Sequence, residues 1–176
     1  MKRGKKLAIN LTLIFVILLY IYYFGGYYIS KQQCVLETMR GLYGTETKEA
    51  MELRQGNHIF TIMADEAGES FSIVGTKKIG FLYRTDSSSM GVKIDKERAI
   101  KVSGMFSSDW GGIVVIYRNS PEVARVEVEM QDGERHTITE WQENYAGFFV
   151  HSKREWYPGP YKVYNAAGEL IEEVEY

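Results

Sequence analysis

The feature that most constrains this chain is an apolar stretch near its N-terminus. Positions 7–24 are eighteen residues without a charge, and twelve of them are Leu, Ile, Val or Phe. About 20 helical residues, rising about 1.5 Å each, cross the roughly 30 Å hydrocarbon core of a bilayer. The large apolar side chains contribute about −4 to −7 kcal/mol to membrane insertion. The sequence therefore predicts a transmembrane helix over residues 7–29.

The charges around this stretch predict its orientation. Four basic residues precede it, namely Lys2, Arg3, Lys5 and Lys6. Basic residues beside a membrane helix stay on the cytoplasmic side. Tyrosine rings favour the headgroup level, and five of them crowd the distal end: Tyr20, Tyr22, Tyr23, Tyr27 and Tyr28. We therefore expect a single-pass protein of the cell membrane, with residues 1–6 in the cytoplasm and residues 30–176 extracytoplasmic.

A cleaved signal peptide is the alternative, since it shares the basic N-terminus. The apolar part of a signal peptide spans about 7 to 15 residues and ends in small residues at the cleavage site. Here the stretch is longer, and Phe24, Tyr27 and Ile29 stand where small side chains are needed. An uncleaved signal-anchor is predicted.

The part beyond the apolar stretch is acidic and contains a single cysteine. It carries 17 basic and 23 acidic residues after position 30, a net charge of −6. Nucleic-acid binding requires Lys and Arg to neutralise phosphates, so no nucleic-acid partner is expected. Cys34 has no second cysteine with which to form an internal disulfide. The lack of cystines in an exterior domain favours a Gram-positive bacterial surface.

Helical periodicity predicts a short stem helix over residues 30–44. Leu36, Met39 and Leu42 recur at the spacing of one helix face, and glycines at positions 41 and 44 close the stretch. A helix that caps the β core is the favoured role. A dimerising coil is the alternative, although one and a half turns are short for a coiled coil.

Beyond residue 45, apolar and polar residues alternate as in strands with one buried face. Ile79, Phe81 and Tyr83 form one such alternating run, whereas residues 113–117 are continuously apolar, as in a strand buried on both faces. Turn-forming residues separate the runs at 65–70, 85–89, 132–133 and 167–168.

This pattern predicts a mainly β domain over residues 45–176. Short strands with glycine-containing turns are typical of an antiparallel β-sandwich or an open barrel. The alternative is a subdivision near residues 107–112 into two small β layers.

The sequence holds no recognisable catalytic or metal-binding pattern. His58, His136 and His151 lack the spacing of metal ligands, so no metal site is predicted. The serines at 87–89 lack the G-x-S-x-G elbow of serine hydrolases, and we expect no catalytic residue and no cofactor. An enzyme remains the alternative: an envelope hydrolase using loop carboxylates such as Asp109 and Glu140, which would need to lie about 5 to 9.5 Å apart.

Four aromatic residues fall at or next to predicted turns: Trp110, Trp141, Trp156 and Tyr157. Aromatic side chains concentrate at binding hot spots, so these four are candidates for an interaction surface. Ordinary core packing is the alternative. An anchored domain without active-site chemistry is expected to be a binding or interaction module for an envelope or membrane-protein partner. An accessory subunit of a membrane machine is the other non-enzymatic alternative.

Four segments carry a resemblance to other proteins: residues 77–84, 110–117, 121–128 and 161–170. With the basic N-terminus and the single helix, they resemble uncharacterised membrane-anchored small β-domain proteins of Gram-positive bacteria. The last segment is similar to the terminal hairpin of such domains. The resemblance implies an anchored β domain, but no activity and no functional residue.

Overall fold

Two helices precede the β structure. The computed structural model describes residues 2–41, 47–107, 110–150 and 158–175. Helix α1 spans Lys2–Phe24 and helix α2 spans Lys31–Arg40. The part of α1 from Gly4 to Phe24 has a mean hydropathy of 2.2 and no buried residues, and it is long and apolar enough to cross a membrane. The helix ends before the predicted limit of residue 29, because Gly26 adopts a φ of 64° that a helix cannot continue.

The rest of the described chain is mainly β, as predicted, with 54% strand against 20% helix in the whole chain. In chain order the strands are β1 (Tyr27–Tyr28), β2 (Thr47–Gln55), β3 (His58–Asp65), β4 (Ser70–Ile79), β5 (Leu82–Lys93), β6 (Ile100–Ser107), β7 (Gly111–Arg118), β8 (Arg125–Met130), β9 (Arg135–Ile138), β10 (Tyr145–Val150), β11 (Pro158–Tyr164) and β12 (Leu170–Val174).

The strands form antiparallel sheets that stack in layers. Their strand orders are β1-β5-β4-β3-β2, β10-β7-β6 and β12-β11-β8-β9. The five-stranded sheet curls into a half-barrel. Strand β2 contacts β10 and β5 contacts β6, so the three-stranded sheet covers the open side of the half-barrel. The four-stranded sheet packs on the other face of that cover.

Strand β7 lies between two hydrophobic cores, and its first six residues are all buried. Ile113 and Val115 belong to the core inside the half-barrel. Val114 and Ile116 belong to the core shared with the four-stranded sheet. This arrangement confirms the prediction that the continuous apolar run at 113–117 is a strand buried on both faces, and each face holds a separate layer in place.

Helix α2 caps the outer face of the half-barrel. Val35 and Met39 pack against residues of β3, β4 and β5, which are Met63, Val74 and Met90. The Ser30 hydroxyl caps the helix by accepting a hydrogen bond from the Gln33 amide at 3.1 Å. The cap role predicted for the stem helix is confirmed, although the helix is shorter than 30–44 and residues 42–46 lie outside the described part.

The predicted turn at residues 85–89 is wrong, because these residues lie inside β5. Two of these residues, Thr85 and Asp86, have side-chain partners outside this strand. The Thr85 hydroxyl lies 2.6 Å from that of Thr38 in α2, whereas Asp86 accepts a hydrogen bond from the Trp110 indole. A run of polar residues indicates a turn when its side chains face solvent. Here Thr85 and Asp86 instead have partners within the fold, as buried polar groups require.

The predicted single strand through Ile79, Phe81 and Tyr83 is also wrong. Strand β4 ends at Ile79, β5 begins at Leu82, and Gly80 makes the turn between them with a φ of 62°. The glycine accounts for the difference, since a left-handed backbone in a tight turn favours a residue without a Cβ.

Other predicted turns are confirmed. Gly133 has a φ of 85° between β8 and β9, and Gly168 a φ of 83° between β11 and β12. The suggested subdivision near residues 107–112 falls between two neighbouring strands of one sheet, because Ser107 pairs with Gly111 across the β6–β7 hairpin. The layers instead separate across the two faces of β7.

Candidate functional site

Trp110, the first predicted interaction residue, is part of the half-barrel core. Its side chain is only 9% exposed, and its ring centroid lies 4.5 Å from that of Phe60. The indole Nε1 donates a hydrogen bond to Asp86 Oδ2 at 2.9 Å. A buried aromatic ring with its polar atom paired inside the fold supports the core and does not offer a surface to a partner.

A polar cluster surrounds this tryptophan at one end of the half-barrel. His58 Nδ1 lies 3.2 Å from the same Asp86 oxygen, and both side chains are largely buried. Ser87 follows Asp86, and its hydroxyl oxygen is shielded from solvent near Gly75 and the Phe60 ring. The Ser87 hydroxyl is therefore not exposed, and the polar contacts of this cluster are those that Asp86 makes with Trp110 and His58.

Trp141 lies in a different layer from Trp110. It packs against the core between β7 and the four-stranded sheet, and its Nε1 donates to the Ala124 carbonyl oxygen at 3.2 Å. The Arg118 guanidinium carbon lies 4.8 Å from the centroid of its ring. The structure therefore does not bring Trp110 and Trp141 together on one face. Trp156 and Tyr157 lie outside the described residues.

Only one of the two carboxylates named for the hydrolase alternative lies among the described residues. Glu140 is exposed, and Asp109 lies outside the described residues. Within the described ranges, no group of three or more His, Cys, Asp or Glu side chains is arranged to hold a metal ion.

The most specific geometry in the molecule is the connection between α1 and the half-barrel. We call it the helix–sheet joint: residues 25–28 together with Tyr83 and Arg84. Strand β1 follows the helix after two glycines and pairs antiparallel with β5, Tyr27 with Arg84 and Tyr28 with Tyr83. The joint therefore contains no linker longer than a turn.

The two glycines make the joint compact. A Cβ on Gly25 would collide with the Ile21 carbonyl oxygen and would approach the Tyr27 ring to 2.8 Å. Gly26 then takes the left-handed conformation that reverses the chain. A larger residue at position 25 would have to displace the end of the helix or Tyr27, whereas one at position 26 would meet open space but strain the backbone.

Helix α2 braces the same joint from its other side. Gln33 Nε2 donates to the Tyr22 hydroxyl at 3.1 Å, which ties α2 to α1. Lys31 Nζ lies 3.0 Å from Glu49 Oε2 and also pairs with Glu52, which ties the start of α2 to β2. Side-chain contacts as well as backbone pairing thus connect α1, α2 and the half-barrel.

Cys34 lies in this interface. Its side chain is fully buried, and its Sγ is 3.5 Å from the Thr85 hydroxyl. Burial raises the pKa of the thiol, although the Thr85 hydrogen bond opposes that effect. A buried thiol held in its neutral form is a poor nucleophile.

The tip of the β4–β5 hairpin, residues 79–82, leaves apolar side chains uncovered beside α1. Phe81 is 72% exposed and Ile79 is 42% exposed. A cleft of about 440 Å³ separates this hairpin tip from the helix. It is lined by Phe15, Leu18, Leu19, Ile21, Tyr22, Tyr23, Tyr27, Ile29, Phe81 and Leu82. The hairpin tip and the apolar helix thus form one continuous apolar surface.

The outer face of the four-stranded sheet is different in character, because it is polar and its charges are paired. Arg135 Nε lies 2.8 Å from Glu129, and Lys162 Nζ lies 2.8 Å from Glu173. A groove of about 230 Å³ crosses these strands. This face lies on the side of the domain opposite α2, because the three-stranded sheet separates it from the half-barrel.

Comparison of the chain with protein-family models, with curated proteins and with solved structures finds no match. The resemblance to membrane-anchored β-domain proteins of Gram-positive bacteria therefore stays a prediction.

Sequence reasoning missed both the joint and the hairpin tip. The available signal was a pair of glycines followed by Tyr27 and Tyr28, which ends an apolar run and begins a strand. The second signal was Gly80 between Ile79 and Phe81, which marks a tight turn with apolar residues on both sides.

The contrasting places of the two tryptophans predict different costs of substitution. Trp110→Phe removes the donor to a buried carboxylate and should lower the free energy of unfolding by about 1 to 3 kcal/mol. Trp141→Phe, at a half-buried site, should cost about 1 kcal/mol or less. Urea unfolding of the full chain in detergent, followed by circular dichroism, measures both. Equal costs would contradict the assignment of Trp110 to the core.

The ion pairs of Lys31 predict an acid-sensitive contribution to the docking of α2. Burial alone would raise the pKa of Glu52, but hydrogen bonds from Lys31 and Arg54 outweigh it and hold that pKa below its usual range. The stabilisation is therefore present above the unfolded pKa of about 4.3 and is lost as pH falls through the lower folded pKa.

Accordingly, Glu52→Gln should lower stability near neutral pH by about 1 kcal/mol or less, and the difference should disappear in strong acid. Urea midpoints measured across the acidic range test this expectation. Glu37→Gln is the matched control, since Glu37 pairs with Arg40 on the exposed side of α2. A pH-independent loss at Glu52, or an equal loss at Glu37, would contradict the role of the Lys31 pairs.

Proposed function

We propose that this chain is a single-pass membrane protein whose extracytoplasmic β domain is held against the bilayer as an interaction module. Residues 1–6 are then cytoplasmic and α1 is the anchor. The module engages a membrane-protein or envelope partner. The observation that carries this proposal is the helix–sheet joint, because it fixes the domain directly on the end of the apolar helix.

The short joint has a direct consequence for binding. Only residues 25–30 separate α1 from α2, and two of them are paired in the half-barrel. A domain attached in this way stays within a thin layer at the bilayer surface and in a narrow range of orientations. Confinement raises the effective concentration toward a partner in the same layer and reduces the entropy lost on binding.

The outer face of the four-stranded sheet is the surface we propose for the partner. It lies away from α2, and it offers paired charges and an aromatic ring, Tyr164, under the Arg125 guanidinium at 4.1 Å. Such a face favours a polar, hydrogen-bonding partner surface over an apolar one. An accessory subunit of a membrane complex would use the same face, with the partner then being a stable member of that complex.

The hydrolase alternative has less support. It requires two carboxylates that converge in a cleft, whereas Glu140 is exposed between β9 and β10. The Asp86 carboxylate lies deeper but is engaged by the Trp110 indole.

Site-specific photo-crosslinking in intact cells tests the proposed function. A photoreactive residue at Thr137, exposed on the outer face of the four-stranded sheet, should give a discrete protein adduct. The same residue at Lys96, exposed between β5 and β6, should give little. Adducts of equal yield from both positions, or none from Thr137, would contradict the proposed face.

The orientation is established first in the same cells. A cysteine at Gln131, on the exposed β8–β9 turn, should react with a membrane-impermeant thiol reagent, and a cysteine at Lys5 should not. Cys34 cannot serve as the reporter, because it is buried. The reverse labelling pattern would overturn the extracytoplasmic placement.

A further inference from the structure

We infer that the hairpin tip is a second membrane contact, which inserts into the outer leaflet beside α1 and binds anionic phospholipid through the basic residues behind it. This inference rests on the proposed anchoring of α1. It goes beyond that proposal because it assigns a lipid-binding role to the domain itself. The residues that carry it are Ile79, Phe81 and Leu82 at the tip, with Lys77 and Lys78 beside them.

The register of the joint places the hairpin tip alongside the helix and not above it. Strand β1 runs antiparallel to β5, and its two residues pair first with Arg84 and then with Tyr83. The chain after α1 therefore runs along β5 toward the hairpin tip. The tip then shares a cleft with Leu18 and Leu19 of α1. Since a helix rises about 1.5 Å per residue, Leu18 lies about 9 Å below Phe24 along the axis. The tip therefore reaches the level of the last turns of the apolar helix.

The side chains of the hairpin tip are apolar, as expected for a segment at the level of the apolar helix. Phe81 at 72% exposure and Ile79 at 42% exposure are apolar groups left uncovered by the domain. The 4–24 stretch of α1 is likewise without buried residues. A bilayer that covers α1 also covers the hairpin tip, because the two form one continuous apolar surface around the cleft. We therefore assign lipid as the partner that covers the exposed side chains of the hairpin tip.

The charges next to the tip match the headgroup level. Lys77, Lys78 and Arg84 flank it, and no acidic residue occurs from 71 to 85, although the chain beyond residue 30 is acidic overall. The Arg84 guanidinium carbon lies 5.8 Å from the Tyr27 ring centroid, at the end of α1 where tyrosines cluster. Basic side chains at this level attract anionic headgroups and can bond their phosphate oxygens.

The depth of the tip is measured on the full chain in nanodiscs of phosphatidylcholine and phosphatidylglycerol. A spin label is placed at Phe81→Cys in a Cys34→Ala background, and its collisions with oxygen and with a water-soluble nickel chelate are compared. Labels at Leu18→Cys and Gln131→Cys mark the immersed and the aqueous limits. The ratio of oxygen accessibility to nickel accessibility should be severalfold higher for the Phe81 label than for the Gln131 label. It should be close to the ratio for the Leu18 label.

The outcomes separate this inference from the proposed anchoring. A Phe81 label as open to nickel as the Gln131 label, with the Leu18 label immersed, would overturn the insertion of the tip alone. A nickel-accessible Leu18 label would overturn the anchor and this inference together. Spin–spin broadening between labelled copies at Phe81 would show that a second chain covers the tip, and would also overturn the lipid assignment.

The headgroup contact has its own test. A fluorophore at Phe81→Cys should be quenched more strongly by spin-labelled phosphatidylglycerol than by spin-labelled phosphatidylcholine. Lys77→Gln with Lys78→Gln should abolish this preference. The matched pair, Lys93→Gln at the other end of the hairpin with Lys96→Gln beyond it, should leave the preference intact. Equal quenching by the two lipids in the unmodified chain, or equal effects of the two pairs, would overturn the anionic-lipid contact.

Discussion

The backbone pairing of Tyr27 and Tyr28 with β5 is the interaction on which the arrangement of this molecule depends. Only two residues separate it from the end of α1, so the apolar helix becomes an extension of the half-barrel. Because β1 runs back toward the hairpin tip, the same pairing brings the tip beside the helix. Both the proposed confinement of the domain and the proposed lipid contact follow from this short antiparallel ladder.

The layers above the joint depend on β7. A strand buried on both faces needs a partner layer on each side, and the half-barrel and the four-stranded sheet provide them. Helix α2 then covers the outer face of the half-barrel. The polar face of the four-stranded sheet is left at the opposite side of the domain, which is the surface the proposed function assigns to a partner.

Sequence patterns predicted the elements that are apolar throughout and the turns that contain a glycine. The apolar helix, the continuously apolar β7 and the glycine turns at Gly133 and Gly168 agree with the structure. Residues 85–89 were predicted wrongly because Thr85 and Asp86 have partners inside the fold and Ser87 is buried, which a linear pattern cannot reveal. Trp110 was assigned to an interaction surface although it is buried, because its partner Asp86 lies on a strand distant in sequence. The hairpin tip could not be recognised as a surface before the register placed it next to α1.

A rigid helix–sheet joint would hold the β domain at one distance from α1, and this distance can be measured. Spin labels at Leu13→Cys and Gln131→Cys, in a Cys34→Ala background in nanodiscs, report the position of the domain relative to α1 by double electron–electron resonance. A flexible Gly-Ser insertion after Gly26 supplies the comparison for a loose connection. We expect a narrow, single distance distribution that broadens only with the insertion. A distribution in the unmodified joint as broad as that of the insertion variant would contradict it.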